Sequence, residues 1–129
     1  MIDNKVIYWL EISMEDLETA EILFAKNKYL YAGYFLQQSI EKILKAYYQM
    51  TKNDIPPRTH NLIYLAEATG LINELTSEQE NILYTLNPLN IETRYPEYRK
   101  KISESLTKIR LKKILYKTKE LHKWIKQRF

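Results

Sequence analysis

The chain has 129 residues, with 20 Lys and Arg against 16 Asp and Glu, two histidines, two glycines and no cysteine. This length suits one domain, and we expect residues 1–129 to form it. The absence of cysteine excludes a disulfide framework, a thiolate zinc site and a cysteine nucleophile, and two glycines cannot build a glycine-rich nucleotide loop.

The first ten residues carry charges and do not have the basic start and apolar run of a signal peptide. No run approaches the 18 consecutive apolar residues that predict a membrane span. We therefore expect a cytoplasmic protein without a membrane association. Two histidines are too few for a His-rich cluster, so we expect neither a metal site nor a cofactor.

Apolar residues at spacings of three and four predict two long helices, over residues 4–26 and 30–50. The connection between them is short, which favours antiparallel packing. Each helix has one apolar face, and the second also carries small residues that would let another helix come close. The first face holds Val6, Leu10, Ser13, Leu17, Ala20 and Phe24, and the small residues are Ala32, Gly33, Ser39 and Ala46.

A loop containing Pro56 and Pro57 follows the second long helix. The next apolar pattern predicts a short helix over residues 60–69. Thr59 is suited to cap its start, and Gly70 stands where a left-handed residue often closes a helix.

A fourth helix is expected to start after Thr76 or Ser77, since either residue has the capping-box partner three positions later. It should end by Asn87, because a proline follows. Residues 87–101 lack a clear period and are expected to be irregular, and a last helix is expected over residues 105–128. Without any strand alternation, the sequence predicts an all-α, up-and-down bundle of four to five helices.

Polar residues share one face of the second long helix, beside its apolar stripe. Glu41 and Lys45 are also spaced as an ordinary ion pair within one helix. This face is either a solvated surface or the wall of a cleft, and the spacing fits both. Its members are Gln38, Glu41, Lys42, Lys45 and Gln49.

His60 and Arg94 are the two single residues whose chemistry suits a site. Imidazole exchanges protons near neutral pH, although an isolated histidine can equally serve packing. Arg94 precedes Tyr95 and Pro96, so it lies in non-helical backbone, where its planar fork can bind a carboxylate or a phosphate. The alternative is an internal ion pair, for example with Glu41.

The positive charge is concentrated at the C-terminal end. Residues 98–129 hold 12 Lys and Arg against 2 Asp and Glu, a net charge of +10, whereas residues 1–97 carry −6. A row of cations with one tyrosine along a helix is typical of nucleic-acid contact, but also of a solvated helix. We call this row the basic stripe: Lys112, Tyr116, Lys119, Lys123 and Lys126.

Three stretches of the chain together resemble the HEPN family, the "higher eukaryotes and prokaryotes nucleotide-binding" domains. Residues 34–46, YFLQQSIEKILKA, are similar to the signature of the family's second helix. Residues 60–65, HNLIYL, resemble its H-x-L-x-x-L motif, and residues 93–96, TRYP, resemble the stretch before its last helix. The order and spacing agree over nearly the whole chain.

The resemblance implies a helical bundle that forms homodimers and pairs with a small nucleotidyltransferase, often as a toxin–antitoxin-like module. It also implies a site that binds nucleotide or RNA phosphate. The residues that the resemblance places at this site are Arg94, Tyr95, Lys45, Gln38, Glu41 and His60.

Some relatives are metal-independent RNases that use Arg-x(4–6)-His. In this chain no histidine follows any of its arginines at that spacing. An RNase toxin would therefore need a variant site, with Arg94 and His60 as the candidate catalytic residues. Three functions remain open: a binding module for nucleotide or RNA phosphate, such a variant RNase, and a non-catalytic helical adaptor.

Overall fold

The computed structural model describes residues 3–129, and six α-helices form its framework within that range. Three single 3-10 turns, Leu71–Asn73, Asn87–Leu89 and Ile91–Thr93, connect the later helices. The described residues include no strand, so the predicted all-α class is confirmed. The helices are α1 (Asn4–Ala25), α2 (Tyr29–Lys52), α3 (Leu62–Thr69), α4 (Ser77–Leu86), α5 (Pro96–Ser105) and α6 (Lys108–Lys126).

Helix α2 is the centre of the bundle and packs against α1, α3 and α6. Its apolar stripe, including Leu36, Ile40 and Ile43, is fully buried. Each such side chain contributes about 1.5–3 kcal/mol through its removal from water. Gly33 lets the side chains of Leu106 and Leu89 pack directly against the backbone of α2, because a Cβ at this position would lie only 3.2 Å from Leu106 and 3.3 Å from Leu89.

Helices α1 and α2 run antiparallel, as their short connection predicts. Contacts pair early residues of α1 with late residues of α2: Trp9 with Lys45, and Asp16 with Lys42. At the turn, the rings of Phe24 and Tyr29 pack 5.8 Å apart. This arrangement places the polar face of α2 against α1 rather than in solvent.

The start of α3 differs from the sequence prediction. Asn61, not Thr59, caps the helix, since its side-chain oxygen accepts hydrogen bonds from the backbone of Ile63 and Tyr64. His60 therefore lies in the loop before α3 instead of in its first turn. Gly70 closes the helix in left-handed conformation, with a φ of 81°, as expected.

The prediction of irregular chain over residues 87–101 is wrong in its second half. Pro96 occupies the first turn of α5, where its missing N–H costs nothing and its fixed φ favours a helix. Thr107 then caps α6, which consequently starts at Lys108 rather than at residue 105. The capping box between Thr76 and Gln79 at the start of α4 is confirmed.

Across residues 3–129, none of the helices combines the length and the apolar character that a bilayer crossing demands.

Candidate functional site

The polar face of α2 is buried. Glu41 is 1% exposed and Lys45 8%, and Gln38 and Gln49 are also buried. Charged side chains are almost never buried unless they are paired. The interpretation as a solvated surface therefore does not describe this face, and its partners need to be identified.

The Glu41 carboxylate contacts two side chains, that of Lys45 one turn further along α2 and that of His60 in the loop before α3. Its Oε2 accepts a hydrogen bond from Lys45 Nζ at 3.1 Å, and its Oε1 lies 2.9 Å from His60 Nδ1. Lys45 Nζ also lies 5.6 Å from the centre of the Trp9 ring. Because both carboxylate oxygens have partners, the charge of Glu41 is compensated inside the bundle.

His60 is oriented by this carboxylate. An ionised carboxylate only accepts hydrogen bonds, so the proton of the neutral imidazole is on Nδ1. Gln37 makes a second hydrogen bond to this residue, since its Nε2 donates to the backbone carbonyl of His60 at 3.0 Å. The imidazole is otherwise exposed, which leaves Nε2 open to a ligand or to water.

A chain of side-chain contacts continues from Gln37 to α1. Gln37 Oε1 accepts from Gln38 Nε2 at 2.7 Å, and Gln38 Oε1 accepts from Lys42 Nζ at 2.6 Å. Lys42 in turn lies 3.7 Å from the Asp16 carboxylate. Burial raises the pKa of Asp16 above its usual value, and Lys42 partly opposes this effect. The network thus fixes Gln37, and through it the His60 loop, to the first two helices.

His60 and Arg94 line one small cleft, of about 180 Å³, at the end of the bundle where α3 begins and α4 ends. The lining groups are amides, one hydroxyl, an imidazole and a guanidinium, and no carboxylate is among them. Such groups present hydrogen-bond donors and positive charge, which suits an anion. The lining residues are His60, Asn61, Asn87, Asn90, Thr93 and Arg94.

Arg94 is unusual because part of its guanidinium is buried without a partner. Nε is inaccessible to solvent and makes no hydrogen bond, and within residues 3–129 no carboxylate forms an ion pair with this arginine. The alternative of an internal pair with Glu41 is therefore not seen. Its guanidinium carbon lies 5.1 Å from the centre of the Tyr98 ring, a cation–π distance that steadies the side chain.

Asn87 holds the two sides of the cleft together. Its Oδ1 accepts from the backbone N–H of Leu62 at 2.8 Å, and its Nδ2 donates to Asn61 Oδ1 at 3.1 Å. Sequence reasoning took Asn87 only as the end of a helix and Thr93 only as part of the TRYP stretch, and it named neither of them, nor Asn90, as a site residue. The available signal was their proximity in sequence to Arg94.

The structure brings together some of the predicted site residues and separates others. His60 and Arg94 share the cleft, and Glu41 and Lys45 lie behind His60. Gln38 reaches His60 only through Gln37, which sequence reasoning missed. Tyr95 is exposed at the start of α5 and does not line the cleft.

The basic stripe is exposed along α6 and lies outside the cleft. Within the stripe, Lys119 Nζ lies 3.3 Å from the Glu21 carboxylate of α1, so the charge of this lysine is partly compensated.

The inner side of α6 carries a histidine that sequence reasoning did not single out. His122 is 4% exposed, and burial together with Lys126 lowers its pKa to about 4.

His122 is held by Ser13 of α1. The Ser13 hydroxyl donates to the Leu10 carbonyl at 2.6 Å, so its oxygen accepts from His122 Nε2 at 3.0 Å. The neutral ring therefore connects α6 to α1 and serves packing, not the cleft.

Comparison with known proteins identifies a family for this architecture. The family model described as "HEPN domain" matches residues 6–128. Among solved structures, the crystal structure of TT1696 from Thermus thermophilus is similar, with a TM-score of 0.81 and 17% sequence identity. The similarity covers 98% of this chain and 100% of that chain. At this identity it supports the fold alone. No curated protein matches the chain.

Proposed function

Because this chain belongs to the HEPN domain family, a nucleotide- or RNA-related class of module, we propose that it binds the phosphate of a nucleotide or of RNA between His60 and Arg94. The observation that carries the proposal is the partly buried Arg94 guanidinium without a carboxylate partner. Arg94 lines the cleft with no carboxylate beside it, and the planar fork of a guanidinium is suited to bind a phosphate there.

The size of the cleft supports phosphate rather than a whole nucleotide as the enclosed group. Its volume of about 180 Å³ is below the roughly 300–1,000 Å³ of pockets that enclose drug-sized ligands. A phosphate fits there with its ribose and base outside. Asn61, Asn87 and Asn90 supply amides around it, and His60 Nε2 would be the ring nitrogen available to the ligand because Nδ1 is held by Glu41.

Substitution of Arg94 by glutamine should weaken the binding of AMP and ATP by about tenfold to a hundredfold, since a hydrogen bond to a charged group contributes about 1.5–3 kcal/mol. Isothermal titration calorimetry measures the change. The matched control is Arg99→Gln, because Arg99 lies on α5 outside the cleft and bonds Tyr31. Equal affinities for wild type and Arg94→Gln would contradict the proposal, as would a wild type that binds neither nucleotide.

A variant RNase is the second candidate, and the shared cleft of His60 and Arg94 favours it. His60 Nε2 would take the proton of the ribose 2′-hydroxyl, whose oxygen forms a bond to phosphorus while the bond to the 5′-oxygen breaks. The products are a 2′,3′-cyclic phosphate and a 5′-hydroxyl, whose proton would come from water. Arg94 would stabilise the negative charge that develops on the phosphate. RNA cleavage in the presence of EDTA, lost in both His60→Ala and Arg94→Ala, would establish this activity. Intact RNA after incubation with the wild type would exclude it.

The resemblance also supports a partner and an assembly. We propose a homodimer that pairs with a small nucleotidyltransferase in a toxin–antitoxin-like module in the cytoplasm. In the adaptor alternative, the basic stripe docks on an acidic protein and the cleft stays unused. Light scattering of the purified chain, alone and with a coexpressed nucleotidyltransferase, distinguishes a dimer, a mixed complex and a monomer.

A further inference from the structure

We propose that the groove between α4 and α6 binds unpaired bases of single-stranded RNA. This inference rests on the proposed function and deepens it by naming the form of the nucleic acid. The groove has a volume of about 490 Å³ and is separate from the phosphate cleft. Tyr116 and Trp124 line it from α6, and Gln79 and Ile82 line it from α4.

The two aromatic side chains can serve as stacking platforms. Tyr116 is 67% exposed, so its ring as well as its hydroxyl is accessible from solvent. Trp124 is half-buried, and the Arg128 guanidinium carbon lies 3.3 Å from the centre of its ring, so one face of the indole is already covered and Tyr116 is the more open of the two surfaces. Both line the same groove two helical turns apart, a separation of about 12 Å along α6. Aromatic surfaces this far apart suit two non-adjacent bases of one extended strand.

The charge around the groove suits a polyanion. In the part of the chain that the structure describes, Lys112, Lys123 and Lys126 form no ion pair with a carboxylate. Of these three lysines, only Lys123 lines the groove. Glu78 and Glu120 line it as well, and Lys117 lies 3.7 Å from Glu78, so the lining is balanced in charge and the excess of cations lies along the exposed side of α6. The cations can therefore contact the backbone of a strand whose bases enter the groove.

The groove on the other side of α6 does not offer the same combination. It lies between α1 and α6, and Glu18 and Glu21 line it together with the lysines. Its lining includes the buried ring of His122 but no tyrosine, tryptophan or phenylalanine. A strand that needs both cations and stacking surfaces is thus directed to the α4 side.

The aromatic residues favour single-stranded RNA over a duplex or an acidic protein. In a duplex the faces of the bases are already stacked on each other, whereas unpaired bases are free to stack on tyrosine and tryptophan. An acidic protein would use the cations alone. Helix α4 also connects the two sites, because Gln79 in its first turn lines the groove and Asn87, directly after its last residue, lines the cleft.

The test compares the affinity for a fluorescein-labelled oligouridylate dodecamer with that for its duplex with oligoadenylate, by fluorescence anisotropy. We expect the single strand to bind more tightly. Tyr116→Ala should weaken its binding by about tenfold, as loss of one base–aromatic stack predicts, and Tyr116→Phe should restore it. Tyr84→Ala is the matched control, because Tyr84 is 56% exposed on α4 and does not line the groove.

Salt dependence separates stacking from charge. Lys123→Gln should reduce the slope of log affinity against log salt by about 0.7, whereas Tyr116→Ala should lower affinity and leave the slope unchanged. Equal binding of duplex and single strand would overturn the inference. So would wild-type affinity in Tyr116→Ala, or displacement of the RNA by polyglutamate at equal charge concentration.

Failure of the inference can be distinguished from failure of the phosphate site. Arg94→Gln should lose AMP binding while the affinity for the dodecamer still depends on Tyr116. If AMP does not bind to the wild type but Tyr116→Ala still weakens dodecamer binding, the cleft proposal fails and the groove stands. If AMP binds to the wild type but Tyr116→Ala does not change dodecamer binding, the groove proposal fails and the cleft proposal stands.

Discussion

Replacement of Glu41 by leucine should lower the free energy of unfolding by about 3–5 kcal/mol, the largest effect we expect from a single polar substitution in this chain. The variant leaves Lys45 buried without its counter-ion and His60 Nδ1 without its acceptor. An uncompensated buried charge is far more costly than a missing contact at the surface. Urea unfolding followed by circular dichroism measures the change.

The double variant Glu41→Leu, Lys45→Met is the control for this prediction, because it also removes the unpaired buried charge of Lys45 and fills the same space with apolar atoms. It should recover most of the lost stability. Glu21→Gln gives the surface control: the Glu21–Lys119 pair is largely exposed, so we expect a loss below about 1 kcal/mol. A double variant no more stable than Glu41→Leu would show that the pair itself, not the isolated charge, is what stabilises the bundle.

Acid should destabilise the protein through His122. Its pKa is lowered to about 4 in the folded state, against 6.5 for an ordinary histidine. Above pH 6.5 both folded and unfolded states hold a neutral ring. Between pH 6.5 and pH 4 only the unfolded state takes up the proton, so stability falls as the pH falls, and below pH 4 the loss is complete. The full loss amounts to about 3 kcal/mol.

The comparison with His122→Gln isolates this contribution from the carboxylates that titrate in the same range. Glutamine keeps an N–H donor for the Ser13 oxygen and has no ionisable group. The difference in unfolding free energy between wild type and variant should therefore shift by about 3 kcal/mol in favour of the variant from pH 7 to pH 4. Parallel pH profiles of the two proteins would contradict the assignment to His122.

The sequence is sufficient for the class of fold and for most helix ends, because these depend on local patterns. The spacing of apolar residues predicts α1 and α2, and two possible capping boxes, from Thr76 or from Ser77, predict the start of α4, of which the structure forms the one between Thr76 and Gln79. The errors are also local. Both Thr59 and Asn61 are good caps, and only the structure shows that the asparagine side chain is turned to the helix. Pro96 can end one segment or begin the next, and here it begins α5.

The candidate site is less accessible to sequence reasoning, because its contacts join residues that are distant along the chain. The spacing of Glu41 and Lys45 indicates an ion pair, but the same spacing occurs on exposed helices, and burial is what gives the pair its importance. The contact between Glu41 and His60 depends on the path of the loop after α2. Asn87 and Asn90 reach the cleft through two 3-10 turns that have no clear apolar period.

The separation of acidic and basic residues along the chain gives the molecule an uneven surface charge, with α6 as a strongly positive side. The acidic residues of the first half include an exposed set on α1, whereas α6 and its flanks hold most of the positive charge. A polyanion would turn the molecule during its approach so that α6 arrives first, and this steering raises the rate of productive encounters. At physiological ionic strength the Debye length is about 8 Å, so the orientation takes place only in the last steps of the approach. Added salt should consequently slow association with RNA more than it speeds dissociation.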